Sequence, residues 1–175
     1  SLFSENITPK HWSEIAKAVA KYIENGAAGI VVAHGTDTLG YTAAALSFAL
    51  QSIPVPVVLV GSQRSADRPS SDAATNLTGA VTAAAKAPFA EVVVAMHETV
   101  SDKSIAFHRG TKVRKCHTSR RDTFKSVNAP PLARMENGHV RMLTEDYERR
   151  DPKRKLVLKP SFDERVALVK FYPGL

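Results

Sequence analysis

Gly29-Ile30-Val31-Val32-Ala33-His34-Gly35-Thr36-Asp37-Thr38 is an apolar run that stops on a glycine and then presents three small polar side chains. A short aliphatic run set between two helical patterns reads as a buried parallel strand, with the polar cluster at its carboxyl end. In open α/β sheets that end is where ligands bind. Gly35 permits a sharp turn, so Thr36 and Asp37 fall at or just before the amino end of the next helix. Free amides and the positive end of the helix dipole meet a ligand there. The same two residues would also serve as an ordinary helix cap, contributing about 1 kcal/mol and no chemistry, and the run alone weighs the two readings equally.

Working outward, the pattern repeats. Thr8-Pro9 starts a helix whose Trp12, Ile15, Ala16, Val19 and Ile23 recur at helical spacing until Asn25-Gly26. Tyr41 to Leu50 reads as a second, strongly apolar helix, and Pro56-Val57-Val58-Leu59-Val60-Gly61 as a second strand. The polar loop from Ser62 to Asp72 leads into a helix from Ala73, with Leu77, Ala80, Val81 and Ala84 as its inward stripe and Asp72 or Ser71 as its cap. Glu91 to Met96 is a third strand. Strands alternating with helices at this spacing predict an α/β fold, a doubly wound parallel sheet with right-handed crossover helices.

The downstream half is less periodic. Val100 to Asp122 reads as polar, basic and without regular structure, with Arg109, Lys112, Arg114, Lys115, His117, Arg120 and Arg121 close together. A stretch of that kind in a compact domain is functional or disordered. Phe124 to Asn128 returns to packed structure. Asn137-Gly138, between Leu132–Met135 and His139–Met142, predicts a β-hairpin. Glu145 to Lys155 reads as a charged linker and Arg165 to Phe171 as a last strand.

Composition sets the bounds. The 175 residues are 43% hydrophobic, enough for one domain with one core. Aromatic residues are only 7%, which suits close helix-on-sheet packing better than a β-sandwich. Cys116 is the single cysteine, so no internal disulfide or cysteine metal cluster is expected, and a reducing, cytoplasmic setting is. No run approaches the ~18 apolar residues of a membrane span. The net charge of +7, concentrated between Arg109 and Lys159, fits either an acidic or phosphate-bearing partner or a plain solvated face.

His34-Gly35-Thr36-Asp37-Thr38 does not stand alone. With Ser4-Glu5, Val60-Gly61-Ser62-Gln63-Arg64, Ser70-Ser71-Asp72, Asn76-Leu77, Lys115 and Phe124-Lys125-Ser126-Val127-Asn128, it forms an ordered set. That set resembles the asparaginase/glutaminase family of threonine amidohydrolases. Lys112 to Asp122 is most similar to the family's tRNA-amidotransferase branch. The resemblance implies a triad of Thr36, Asp37 and Lys115, with Ser4, Glu5, Gly35 and Ser62 on the substrate. A threonine hydroxyl needs a base, and a desolvated lysine can supply one. Asp37 would orient that lysine or receive a substrate amino group. Asp72 shapes the pocket wall or caps a helix, backbone amides beside Ser62 could stabilise an oxyanion, and His34 supports the turn.

Further expectations follow from the resemblance. Residues 1–175 form one amidohydrolase domain and read as an internal fragment, because the family's Gly-Thr-Gly-Gly-Thr strand with its nucleophilic threonine and its C-terminal small domain are not among them. Taken by itself the fragment should be inactive. The parent protein should release ammonia from asparagine or glutamine and pass it to an E subunit that amidates Glu-tRNA(Gln), with no cofactor in this chain and ATP and Mg in that partner. A homodimer away from membranes is implied. A free-standing cytoplasmic L-asparaginase is one alternative. Another is a non-catalytic nucleotide- or RNA-binding α/β module, against which stand the absence of a Gly-x-Gly-x-x-Gly turn or Walker motif and the scarcity of aromatics in the basic segment.

Overall fold

The computed structural model describes residues 2–174. In chain order these form a 3-10 turn Ser4–Asn6, α1 Pro9–Glu24, β1 Ile30–Ala33, α2 Leu39–Ala49, β2 Leu50–Gln51, β3 Val57–Val60 and α3 Ala73–Lys86. There follow β4 Val92–His97, β5 Ser104–Arg109, β6 Val113–Lys115, β7 Phe124–Ser126, β8 Ala133–Glu136, β9 His139–Met142 and β10 Val157–Leu158.

Strands with aliphatic residues at every position must be covered on both faces, and this requirement sets the layers. The main sheet has the order β1-β3-β4-β5-β8-β9. β1, β3 and β4 run parallel in the register Val31–Val58–Val93. Their side chains alternate between two cores. Ile30, Val32, Val57, Leu59, Val92, Val94 and Met96 pack against α1 and α2, while Val31, Val58, Val60, Val93 and Ala95 pack against α3. The doubly wound α/β reading therefore holds, and the hairpin β8–β9 turns at Asn137-Gly138 as expected.

Five readings are corrected. The sheet is parallel only in its first half, since β5, β8 and β9 join antiparallel. The reason is that Val100–Asp122 is not structureless: β5 lies inside it and buries Ile105, Ala106 and Phe107 completely. Only Ile105 and Phe107 carry its alternation, too short a signal beside so many charges. On α3, Ala80 and Ala84 face inward as expected, but Leu77 and Val81 face solvent, and Asn76, Gly79 and Ala83 complete an inward face of small residues that lets the helix lie close to the sheet. Arg165–Phe171 forms no strand. Its apolar side chains are exposed and it has no paired neighbour among the described residues, and a short apolar run becomes a strand only where another strand supplies the ladder. The charged stretch 145–155 is a strap rather than a free linker: Arg150 donates to the Ala28 and Ala85 carbonyls, and Arg154 to that of Ile53.

Two features position the site. The carboxyl ends of β1, β3 and β4 lie side by side. After β5 the chain then passes against α2 at Gly110, where an added Cβ would lie 2.5 Å from Ser47 Oγ and 2.7 Å from the Ala43 carbonyl oxygen. Only glycine allows that approach, which lays the β6–β7 hairpin along α2 and delivers Lys115 to the end of β1.

His108 on β5 is buried, with Nδ1 2.8 Å from Ser126 Oγ and Nε2 without a partner among the described residues. Burial, aided by the Lys125 charge, lowers its pKa from 6.5 to about 4. The unfolded chain therefore takes up this proton first as pH falls, and stability drains away between pH 6.5 and about 4. Loss from this group should approach ~3 kcal/mol, at ~1.4 kcal/mol per pKa unit. Urea unfolding midpoints measured across that range should fall with pH, and His108→Gln should flatten the slope; an unchanged slope contradicts the assignment.

Candidate active site

The turn after β1 is built from small residues under tight contact. A Cβ on Gly35 would sit 2.7 Å from both Cβ and Oγ of Ser4, so glycine is needed for the 3-10 turn to close over it. Thr38, at the amino end of α2, donates its hydroxyl to the Ser4 carbonyl at 2.7 Å and fixes that closure. Ser4 Oγ in turn points to Asp37 Oδ2 at 3.4 Å.

His34 braces the turn from beneath. Trp12 Nε1 donates to Thr42 Oγ1 at 3.0 Å, leaving the Thr42 proton for His34 Nε2 at 2.8 Å, while His34 Nδ1 donates to the Gly35 carbonyl at 2.6 Å. This pattern needs a neutral ring. Burial pushes the His34 pKa down and supplies that state. His34 therefore supports the turn, as expected of it.

Lys115 closes the arrangement from the far side of the sequence. It ends β6, paired with Phe124 on β7, and its Nζ lies 2.9 Å from Thr36 Oγ1 and 3.0 Å from Asp37 Oδ1. The lysine side chain is 20% exposed, the aspartate 62%. The hydrogen bond from Lys115, then its charge, with a lesser contribution from the Ser4 hydroxyl, holds the Asp37 carboxyl below its ordinary range. An amine beside a hydroxyl can donate to it when protonated and accept its proton when not. A carboxylate within reach of the same amine orients it and offers a counter-charge to a cationic ligand. Asp37, Lys115, Tyr41, Cys116 and Asn128 border an open cavity of about 910 Å³. A cavity of about 600 Å³ at the other end of the sheet is lined by Glu91, Arg109, Glu148 and Arg154, whose charges already neutralise one another.

The end of β3 forms the second wall. Ser62 is half-buried there. Asp72 accepts the amides of Gln63 at 3.0 Å and Arg64 at 2.9 Å, so two of the amides beside Ser62 are already engaged. Asp72 is thus wall rather than cap: it stands at the amino end of α3, but its side chain makes no capping bond. Ser71 Oγ accepts the Ala73 amide instead. Of the residues read from the sequence, Ser4, Gly35, Thr36, Asp37 and Lys115 come together. Glu5 is exposed and makes no hydrogen bond or ion pair among the described residues, and Cys116 is exposed beside the site. Sequence reasoning missed His97. It is fully buried at the end of β4, bonded to Asn76 and Asp102; a histidine directly following an apolar strand, level with the other two strand ends, was the available signal.

Residues 1–148 match the family model described as Asparaginase, N-terminal. The chain is 55% identical over 177 residues to the D subunit of glutamyl-tRNA(Gln) amidotransferase from Metallosphaera sedula, and 53% identical over 176 residues to the protein of the same name from Pyrococcus abyssi. Both alignments cover 100% of this chain and 40% of the relative, so the chain spans about two fifths of the length of the curated relatives it matches. Among solved structures it resembles the thermostable L-asparaginase of Thermococcus kodakarensis, with a TM-score of 0.88 and 35% identity over 100% of this chain and 50% of that one. It also resembles L-asparaginase I of Vibrio cholerae, with a TM-score of 0.84 and 30% identity over 99% and 50%.

The Lys115–Asp37 contact has a direct readout. Replacing Lys115 with Met should return the Asp37 carboxyl toward its ordinary range, an upward shift visible in a carboxyl carbon NMR titration. An Asp37 titration that does not move contradicts the geometry.

Proposed function

The chain belongs to the asparaginase family, matched through its N-terminal domain, and from that premise we propose that its parent protein releases ammonia from the side-chain amide of asparagine or glutamine. Identity of 51–55% to amidotransferase D subunits, against 35% to the Thermococcus asparaginase, favours the amidotransferase setting. In that setting the ammonia passes to an E subunit that activates Glu-tRNA(Gln) with ATP and Mg, in the cytoplasm. The intact protein acts as a homodimer.

The observation that carries this reading is the approach of Lys115 Nζ to both Thr36 Oγ1 and Asp37 Oδ1. The reaction is an acyl transfer. A threonine oxygen adds to the amide carbonyl carbon, the C–N bond breaks as nitrogen takes up a proton and leaves as ammonia, and water then cleaves the acyl-threonine ester. Thr36 and Lys115 hold and move the proton these steps require. Asp37 fixes the lysine and receives the substrate's amino group, and Ser4 and Glu5 flank that position. Ser62 borders the carbonyl, beside the Gln63 and Arg64 amides that Asp72 already holds.

A second reading, a free-standing L-asparaginase, is favoured by the TM-score of 0.88 to such an enzyme. It differs in needing neither tRNA nor a partner. Ammonia release by the full-length protein, with and without the E subunit and Glu-tRNA(Gln), separates the two. In either setting Thr36→Ala and Lys115→Ala should lower kcat/KM by at least about 100-fold, the scale on which a positioned base or proton donor acts. Undiminished ammonia release in either variant contradicts the assigned roles.

A further inference from the structure

A line of buried polar groups runs behind the site, joining its two walls. Asp72, Asn76 and His97 are each 0% exposed, although polar groups are seldom buried so completely without a reason. Every link is a hydrogen bond. Asp72 holds the Gln63 and Arg64 amides, and Asn76 Nδ2 donates to Asp72 Oδ2 at 2.9 Å and to the Gly61 carbonyl at 3.0 Å. That fixes the amide orientation and turns Asn76 Oδ1 toward His97 Nδ1, 2.6 Å away.

On its other side His97 Nε2 meets Asp102 Oδ1 at 2.9 Å. The same carboxylate oxygen accepts from Arg121 Nη1 at 2.9 Å, and Arg121 also donates to the Ser70 carbonyl. Gln63 Nε2 reaches the Thr118 carbonyl at 3.2 Å across the mouth. The line therefore starts in the basic loop after Lys115 and ends in the wall that carries Ser62. Gly61, held by Asn76, packs against the turn itself: a Cβ there would lie 2.7 Å from the His34 carbonyl oxygen and 3.1 Å from Thr36 Cγ2.

We propose that His97 is a positioning residue, which sets the Ser62 wall and the loop after Lys115 at a fixed separation through Asn76 and Asp102. It touches no substrate. Both of its ring nitrogens face oxygen acceptors, so both bonds form only with a proton on each nitrogen, and the ring spans a gap that a shorter side chain leaves open. The consequence for the proposed amidohydrolase reaction, on which this inference rests, is substrate binding: with His97 detached the wall drifts, and the carbonyl subsite loses definition while Thr36, Asp37 and Lys115 keep their contacts.

The test uses the full-length protein with asparagine and glutamine as substrates. Asp102→Ala removes the outer anchor at a side chain that is 63% exposed, so the core is untouched. His97→Asn keeps a donor for Asn76 but cannot reach Asp102. Both should raise KM about 5- to 10-fold with little change in kcat, the scale of one partly exposed hydrogen bond to a charged group, and Asp102→Asn, which keeps an oxygen facing Nε2, should recover most of the loss. Amide hydrogen exchange at Gln63 and Arg64 should accelerate in the first two variants. A fall in kcat at constant KM, as from a smaller folded fraction, or exchange as slow as in the wild type, overturns the proposal. If the wild-type protein releases no ammonia, the function assigned above fails, while the exchange measurement still decides whether His97 holds the wall.

Discussion

Everything at the site depends on one long-range contact: Lys115 brought within 3.0 Å of two residues that lie almost eighty positions earlier in the chain. An ammonium that is four fifths covered has lost much of its water, and it is tolerated because a carboxylate and a hydroxyl replace that water. Asp37 remains open to solvent on its outer side. The pair is therefore half desolvated, with the lysine constrained and the carboxylate still able to meet a ligand. As a contribution to stability such a pair is modest; its interest lies in where it holds a nitrogen and an oxygen.

The fold meets that demand with packing rather than with long polar connections. Aliphatic residues on both faces of β1, β3 and β4 force helices onto each side, and the strand ends are left in a row. Gly110 lets the chain return over α2, so the β6–β7 hairpin arrives from the side and needs only three paired residues to aim Lys115. Trp12, Thr42 and His34 then support the turn from one face, while Asp72, Asn76 and His97 support the neighbouring wall from the other. Both supports are fully hydrogen-bonded, as polar groups in a low-dielectric interior must be.

The parallel half of the fold and the core of the site were legible in the sequence because their signals are local. A four-residue aliphatic strand, a glycine and a Thr-Asp pair fit within ten positions, and Asn137-Gly138 announces its hairpin in two. The partnership of Lys115 with Thr36 came from family resemblance, since residue spacing says nothing about a contact across so much chain. β5 was hidden because its two inward residues are set among histidine, arginine and serine. Only Ala80 and Ala84 of the expected α3 stripe face inward, because the sheet takes alanine and glycine there and leaves the larger Leu77 and Val81 outside. His97 has no local signal beyond its place at a strand end, because its partners Asn76 and Asp102 lie on other elements. The run from Arg165 is as apolar as a buried strand, yet an apolar run does not provide a neighbour.

The most direct measurement is a crystal structure of the full-length protein with L-aspartate, the product of asparagine cleavage, bound at the site. The account predicts the side-chain carboxylate next to Thr36 Oγ1 and Ser62, the amino group on Asp37, and Lys115 Nζ still within hydrogen-bond distance of Thr36. Aspartate bound elsewhere, with Lys115 turned into solvent, would contradict it.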